Sequence, residues 1–432
     1  MHLIESGTSR FLLDCGIKVG GRDKGRSRDI IFPFDPATID AVFLSHAHAD
    51  HCGNLPNLVR SGFTGPIYCT HATRDLIAIM LADSARVHEN KRQFAYSGRG
   101  GSSSLFDYQD VDDTIAACEG VEYGETVAVE PDVQICFSDA GHILGSASIA
   151  IAIQSEARKH TITFTGDLGR RGLPFVCDPS LVQPADLVIC ESTYGGKTHS
   201  SLEEMSQKMA DVVHRTIARG GKVLIPAFSL GRTQLVLHYI RNWMSTGRIP
   251  LLPIYVDNPV AAEISDVHTQ YGALLLPESK EIPVEWISSE EEAWMRSTQR
   301  EPCIIIASGG MCEGGRIVPF LKNHIDDPRS TIVLVSYQAP DSLGAALLSN
   351  VSTVRFQGRI WNKWIEVAEI KGFSGHADKN DFEHLLRGAV ENTSHVRLVH
   401  GEVEQMAALQ SQLRDMGFAD VQVPKLGDSV VL

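Results

Sequence analysis

A chain of 432 residues, 43% hydrophobic and 21% charged, is long enough for two hydrophobic cores and has the balance of a globular enzyme. No apolar run approaches the ~20 residues of a membrane-spanning helix, so no membrane association is expected. A formal net charge of −14 argues against coating nucleic acid through a broad basic surface.

The first residues, Met1-His2-Leu3-Ile4-Glu5-Ser6-Gly7, lack the basic-then-apolar pattern of a secretory signal, so a cytoplasmic location is expected. The nine cysteines are scattered, never spaced C-x-x-C, and most read as core thiols. Short strands are predicted at Ser9–Leu13, 41–44, 66–69, 133–137, 146–153 and 161–165, each rich in apolar or β-branched residues and closed by Gly, Asp or His. Between them the pattern predicts a helix from residue 73 to about 94, then a glycine-serine surface loop at 97–104.

From about Gly196 the rhythm changes. Ser201-Leu202-Glu203-Glu204 has capping-box spacing and opens a helix that runs to Gly220-Gly221. A strand at 222–227, a helix from 232 to about 244 and strands at 251–256, 303–307 and 331–336 follow. Strands alternating with helices imply parallel pairing through right-handed crossovers. Beyond residue 356 β-rich segments return at 364–370 and 396–399, with a helix at 404–416. The expected organisation is a first domain at 1–195, an inserted α/β domain at 196–360 and a completing segment at 361–432.

The densest chemistry lies in His46-Ala47-His48-Ala49-Asp50-His51, directly after the strand at 41–44. Imidazole nitrogen and carboxylate oxygen are the donors zinc prefers, and a catalytic site keeps one position open for water. Read as extended chain, His46, His48 and Asp50 share a face while His51 turns away into the next element. A histidine-rich surface turn is the bland alternative; the small spacers Ser45, Ala47 and Ala49 and the apolar strand before them favour ligation. His142 and Asp167 follow other strands, each behind a glycine. Alone they are ordinary loop residues, but strand-end side chains on one sheet edge can converge, and Asp167 can bridge two ions. Asp14, closing Ser9–Leu13, suits a carboxylate that orients a ligand histidine.

With these residues in place the sequence resembles the metallo-β-lactamase superfamily, whose HxHxDH motif, later His and later Asp match His46, His48, Asp50, His51, His142 and Asp167. It further resembles the β-CASP nuclease branch through Glu191 in Cys190-Glu191-Ser192-Thr193-Tyr194-Gly195, His376 in Ser374-Gly375-His376-Ala377-Asp378, and His400 in Val399-His400-Gly401. The resemblance covers nearly the whole chain. It implies an α/β fold: a metallo-β-lactamase αββα sandwich carrying an inserted β-CASP domain of mainly parallel sheet. It also implies two zinc ions, one on His46, His48 and His142, the other on Asp50, His51 and His400, with Asp167 shared. The last motif tends to be His in RNA-directed members and Val in DNA-directed ones, so His400 points to RNA as the partner. A homodimer is compatible with the family.

Two cations within a few ångströms would neutralise a phosphodiester oxygen and lower the pKa of a shared water from about 15.7 to ~7. The departing 3′ oxygen then needs a proton, for which His376 is the candidate acid, oriented by Glu191, while Asp50 and Asp167 complete the catalytic set. The expected activity is RNA hydrolysis, internal with a 5′-to-3′ mode as a second expectation, leaving 5′-phosphate and 3′-hydroxyl ends. Ser229 and Arg232, and Ser308, Gly309, Gly310 and Arg316, sit in strand-turn-helix segments suited to holding a phosphate backbone. For any one of them a plain tight turn is an equal explanation, and the glycines lack the G-x-G-x-x-G spacing of a dinucleotide site. Relatives commonly carry one more strand before His2 and an Arg where Ala345 stands, so a substrate contact is expected to differ here. Competing readings are a hydrolase of small esters or thioesters, a DNA-directed nuclease, and a non-catalytic scaffold; the last loses ligands in such families, whereas every expected ligand is present.

Overall fold

The isoleucine–alanine alternation of Ala147–Gln154 buries Ile149, Ile151 and Ile153 on one face, and that half-buried pattern is how the first layers are assembled. The computed structural model describes residues 1–17, 31–96, 105–156, 158–272 and 282–432, with backbone alone for 90–96. The glycine-serine loop expected at 97–104 lies outside the described residues. Two units form, one from Met1–Val19, Asp23–Thr198 and Gly375–Leu432, the other mainly His199–Ser374.

The first unit holds two facing sheets. One has five strands in the order His2–Ser6, Ser9–Leu13, Ala41–Phe43, Ile67–Thr70 and Cys118–Val121. The other has seven, ordered Val421–Gln422, His395–Val399, Leu187–Glu191, Lys159–Phe164, Ala147–Gln154, Val133–Asp139 and Thr126–Glu130. Phe11 and Phe43 of the first sheet and Phe137, Ile149 and Phe164 of the second share one buried core. Helices Lys379–Leu386 and Val403–Met416 cover the back of the second sheet through Phe382, Leu385, Leu409 and Leu413, which pack with Val188 and Leu398. His71–Tyr96 packs on the first sheet. This is the αββα sandwich. Leu187–Glu191 is buried at every position because both its faces are covered.

In the second unit six strands form an all-parallel sheet ordered Val284–Trp286, Ile254–Asp257, Ile304–Ser308, Val223–Ala227, Thr331–Leu334 and Glu366–Glu369. The helix Leu202–Ala218 starts at the capping box read from sequence: Ser201 Oγ accepts from Glu204 N, and the Glu204 side chain accepts from Ser201 N. The return to the first unit falls at Gly375 rather than at residue 361, because Glu366–Glu369 pairs in parallel with Thr331–Leu334 and extends the second unit's sheet. Among the described residues no helix is long and apolar enough to cross a membrane.

Candidate metal centre

Parallel strands deliver their ends to one edge, and that edge carries the chemistry. Ser9–Leu13 and Ala41–Phe43 run parallel and end at Asp14 and at Ser45-His46. In the facing sheet Leu187–Glu191 lies parallel between Lys159–Phe164 and His395–Val399. Glu191 pairs with Val399, so His400 emerges one residue beyond Glu191, and Asp167 lies three residues past Phe164. His142 comes from the turn joining Val133–Asp139 to Ala147–Gln154. Asp14 and His400 adopt left-handed backbone, φ 56° and 51°. That costs an L-residue free energy, and it is held by Asp14 N donating to Phe43 O at 3.1 Å and Thr193 Oγ1 donating to His400 O at 3.0 Å.

The expectation that His51 turns away is corrected. His48 is the N-cap of a helical turn, Ala49–Cys52, so Asp50 and His51 follow helical rather than extended geometry. His51 Nε2 consequently points inward, 3.3 Å from Asp167 Oδ1 and 3.4 Å from His400 Nε2.

Two donor groups result. In one, His48 Nδ1 stands 3.1 Å from His46 Nε2 and 3.2 Å from His142 Nε2, with Asp167 Oδ2 at 3.5 Å from His46 and 3.7 Å from His142. In the other, His400 Nε2 lies 3.2 Å from Asp50 Oδ2 and 3.4 Å from His51 Nε2. The two oxygens of Asp167 thus face different groups. Nitrogens bound at ~2.0–2.1 Å to a tetrahedral zinc lie roughly 3.3–3.4 Å apart, close to these separations. Asp167 is 2% exposed, and its Oδ1 accepts no well-formed hydrogen bond among the described residues. A buried carboxylate oxygen met only by the ring nitrogens of His51 at 3.3 Å and His400 at 3.4 Å suits a cation. The donor set fits a metal pair.

Protonation follows from the surroundings. Burial drives His46 and His142 well below the ordinary imidazole range and His48 down to about 4, leaving lone pairs free. His400 is raised to about 9, chiefly by the Asp167 carboxylate against the effect of burial. For His51 burial pulls downward, but Asp167 and Asp14 outweigh it and favour the charged ring. The same negative field favours a divalent cation. Asp14 accepts from Ser45 N at 2.7 Å, from Ser45 Oγ at 2.8 Å and from His51 Nδ1 at 2.6 Å. With His46 Nδ1 donating to Ser45 Oγ at 3.0 Å, one carboxylate orients two rings and turns both Nε2 atoms inward. Ser45 and Thr193, the latter 3.2 Å from His400 Nδ1, were not singled out from sequence. Their only signal is a hydroxyl beside a motif residue.

Glu191, 1% exposed, accepts from Leu168 N at 2.8 Å and Thr193 N at 2.9 Å, and its Oε1 lies 3.1 Å from His376 Nδ1. Burial opposes a charged His376, yet the Glu191 carboxylate holds its pKa above the ordinary value.

The loops read as phosphate-holding lie at the carboxyl ends of adjacent strands in the second unit, where Ala227 pairs with Ser308. Ser229 Oγ donates to Asn258 Oδ1 at 2.8 Å, and Arg232 donates to Val335 O at 3.3 Å. Ser308 Oγ accepts from Arg316 N at 3.1 Å, and Arg316 Nε is 3.1 Å from Asp257. Gly309 closes this turn: a Cβ there would lie 2.1 Å from Gly314 O, and one on Gly310 would touch the Phe228 ring. Both guanidiniums therefore contact protein groups, and the glycines are required by the turn itself. Ala345 N donates to Ser342 Oγ at the start of Leu343–Leu348.

Comparison with known proteins identifies the family. Residues 1–135 match the metallo-β-lactamase superfamily, 233–347 the β-CASP domain and 365–424 the Zn-dependent metallo-hydrolase RNA specificity domain. Ribonuclease TTHA0252 of Thermus thermophilus is 34% identical over 443 residues, covering 99% of this chain and 96% of that protein. Transcription termination factor FttA of Pyrococcus horikoshii is 32% identical over 421 residues, covering 91% of this chain but 62% of the relative. FttA of Pyrococcus abyssi is 30% identical over 464 residues, covering 100% of this chain and 69% of the relative. The chain belongs to the β-CASP branch of the metallo-β-lactamase superfamily and is a metal-dependent hydrolase of that family.

Proposed function

We propose that this protein is a zinc-dependent ribonuclease that cuts RNA internally, with 5′-to-3′ trimming as a second mode. The carrying observation is Asp167, whose two oxygens face two separate donor groups. In this reading His46, His48 and His142 hold one ion, Asp50, His51 and His400 the other, and Asp167 both. Imidazole-rich donors with carboxylates suit zinc. When bound, a divalent pair supplies Lewis acidity and an acidified water close to phosphorus. The remaining work belongs to the side chains. Asp14 fixes the protons of His51 and His46 on Nδ1, and Asp167 and Asp50 supply compensating negative charge. His376 gives its proton to the departing 3′ oxygen while Glu191 keeps that ring charged and oriented. The products carry 5′-phosphate and 3′-hydroxyl. RNA as substrate is supported by the relative named a ribonuclease and by the match to an RNA specificity domain. A cytoplasmic setting is part of the same proposal, supported by cysteines that are scattered in sequence rather than spaced as a disulfide framework.

The test is cleavage of end-labelled RNA by chelator-stripped and zinc-reloaded protein, with single-stranded DNA of the same sequence alongside. Zinc is expected to restore internal cutting of RNA in preference to DNA. Equal cutting by stripped protein, or intact RNA after reloading, contradicts the proposal.

A further inference from the structure

Next to His376 lies a feature that the metal centre does not use. The Tyr194 ring is nearly parallel to the His376 ring, 15° between planes and 6.3 Å between centroids, and the Lys197 ammonium stands 5.5 Å from the centre of the Tyr194 ring. The chain that carries both is pinned. Gly196 N donates to Gln405 Oε1 at 3.0 Å, and a Cβ on Gly195 would lie 2.6 Å from Leu409 Cβ, so the turn rests directly on the helix Val403–Met416. Lys197 N donates to Tyr194 O and Lys379 N donates to Lys197 O, both at 3.0 Å. The backbone of Lys197 is therefore fixed on both sides while its side chain is exposed. Its ammonium forms no ion pair with a carboxylate among the described residues, in a protein of formal net charge −14.

An ammonium held over a tyrosine face and unmatched by a carboxylate is a site for an anion. His376 and Lys197 already stand against the Tyr194 ring, so the group offered to a ligand is the charge rather than a stacking surface. We propose that Lys197, positioned by Tyr194, binds the RNA phosphate on the 5′ side of the nucleotide whose 3′ oxygen departs. The inference rests on the ribonuclease reading: an acid that protonates the leaving oxygen stands on the leaving side, and its neighbours meet the strand upstream of the cut. Such a contact rewards substrates that extend upstream, which is what internal cutting supplies.

The experiment measures an unstructured, fluorescently labelled oligoadenylate, binding by anisotropy across a salt series and cleavage in steady state. Lys197→Ala and Lys197→Arg are compared in a His376→Ala background for binding and in the otherwise native protein for cleavage. A lost phosphate contact on single-stranded RNA makes the slope of log affinity against log salt shallower by about 0.7. Lys197→Ala is expected to show that change and a roughly fivefold rise in KM with kcat held within about twofold, while Lys197→Arg retains both native values. An unchanged slope and KM in Lys197→Ala overturns the subsite, as does a fall in kcat with the slope unchanged, since either leaves Lys197 without a phosphate. RNA left intact by the native protein overturns the ribonuclease reading itself.

Discussion

Glu191 and His376 meet at 3.1 Å, carboxylate oxygen to ring Nδ1, across 185 residues of sequence. Both carboxylate oxygens also accept backbone N–H groups, so the anion is fixed before it meets the ring. Its charge overcomes the burial that would otherwise neutralise His376.

Replacing Glu191 with Gln keeps the shape and removes the charge, so the His376 pKa falls. A general acid works while protonated: activity is full below its pKa and lost above it. The alkaline limb of the pH–rate profile is therefore expected to move to lower pH in Glu191→Gln, each unit of movement corresponding to about 1.4 kcal/mol. Profiles of native and variant protein under saturating zinc check this; coincident alkaline limbs would show that Glu191 does not act through His376.

Asp14 orients His51 directly and His46 through Ser45. Asp14→Ala leaves all proposed ligands present but frees two rings to rotate. Zinc retention should weaken about 10–100-fold, read by competition with a chromogenic chelator. Native-like retention would remove Asp14 from the metal site.

Gly169 lies against the turn that carries His142: a Cβ there would sit 1.8 Å from the Gly141 carbonyl oxygen and 2.6 Å from His142 N. Gly169→Ala is expected to destabilise the fold by at least about 1–3 kcal/mol in denaturant titration. Gly388→Ala, where a Cβ meets nothing within 4 Å, is the control and should stay within about 0.5 kcal/mol.

What was legible in the sequence was whatever is written locally. Apolar and β-branched enrichment marked a strand at 146–153, the Ser201–Glu204 spacing marked a helix start, and small spacers marked His46 and His48 as ligand candidates. The direction of His51 was misread because a strand pattern was carried into a helical turn that begins at Ala49. Ser45, Thr193 and Lys197 were missed because their meaning depends on contacts with Asp14, His400 and Tyr194, which no period in the chain encodes. The pairing of Glu366–Glu369 with Thr331–Leu334 likewise depends on long-range sheet order, and it moved the return point of the insertion.

The most direct test of the central claim is single-turnover cleavage of 5′-labelled RNA by zinc-loaded native protein and His376→Ala, with metal content measured on both. The account predicts equal zinc in the two proteins, 5′-phosphate and 3′-hydroxyl products from the native one, and a rate about 10²–10⁴-fold lower in the variant. Equal rates at equal zinc content would contradict it.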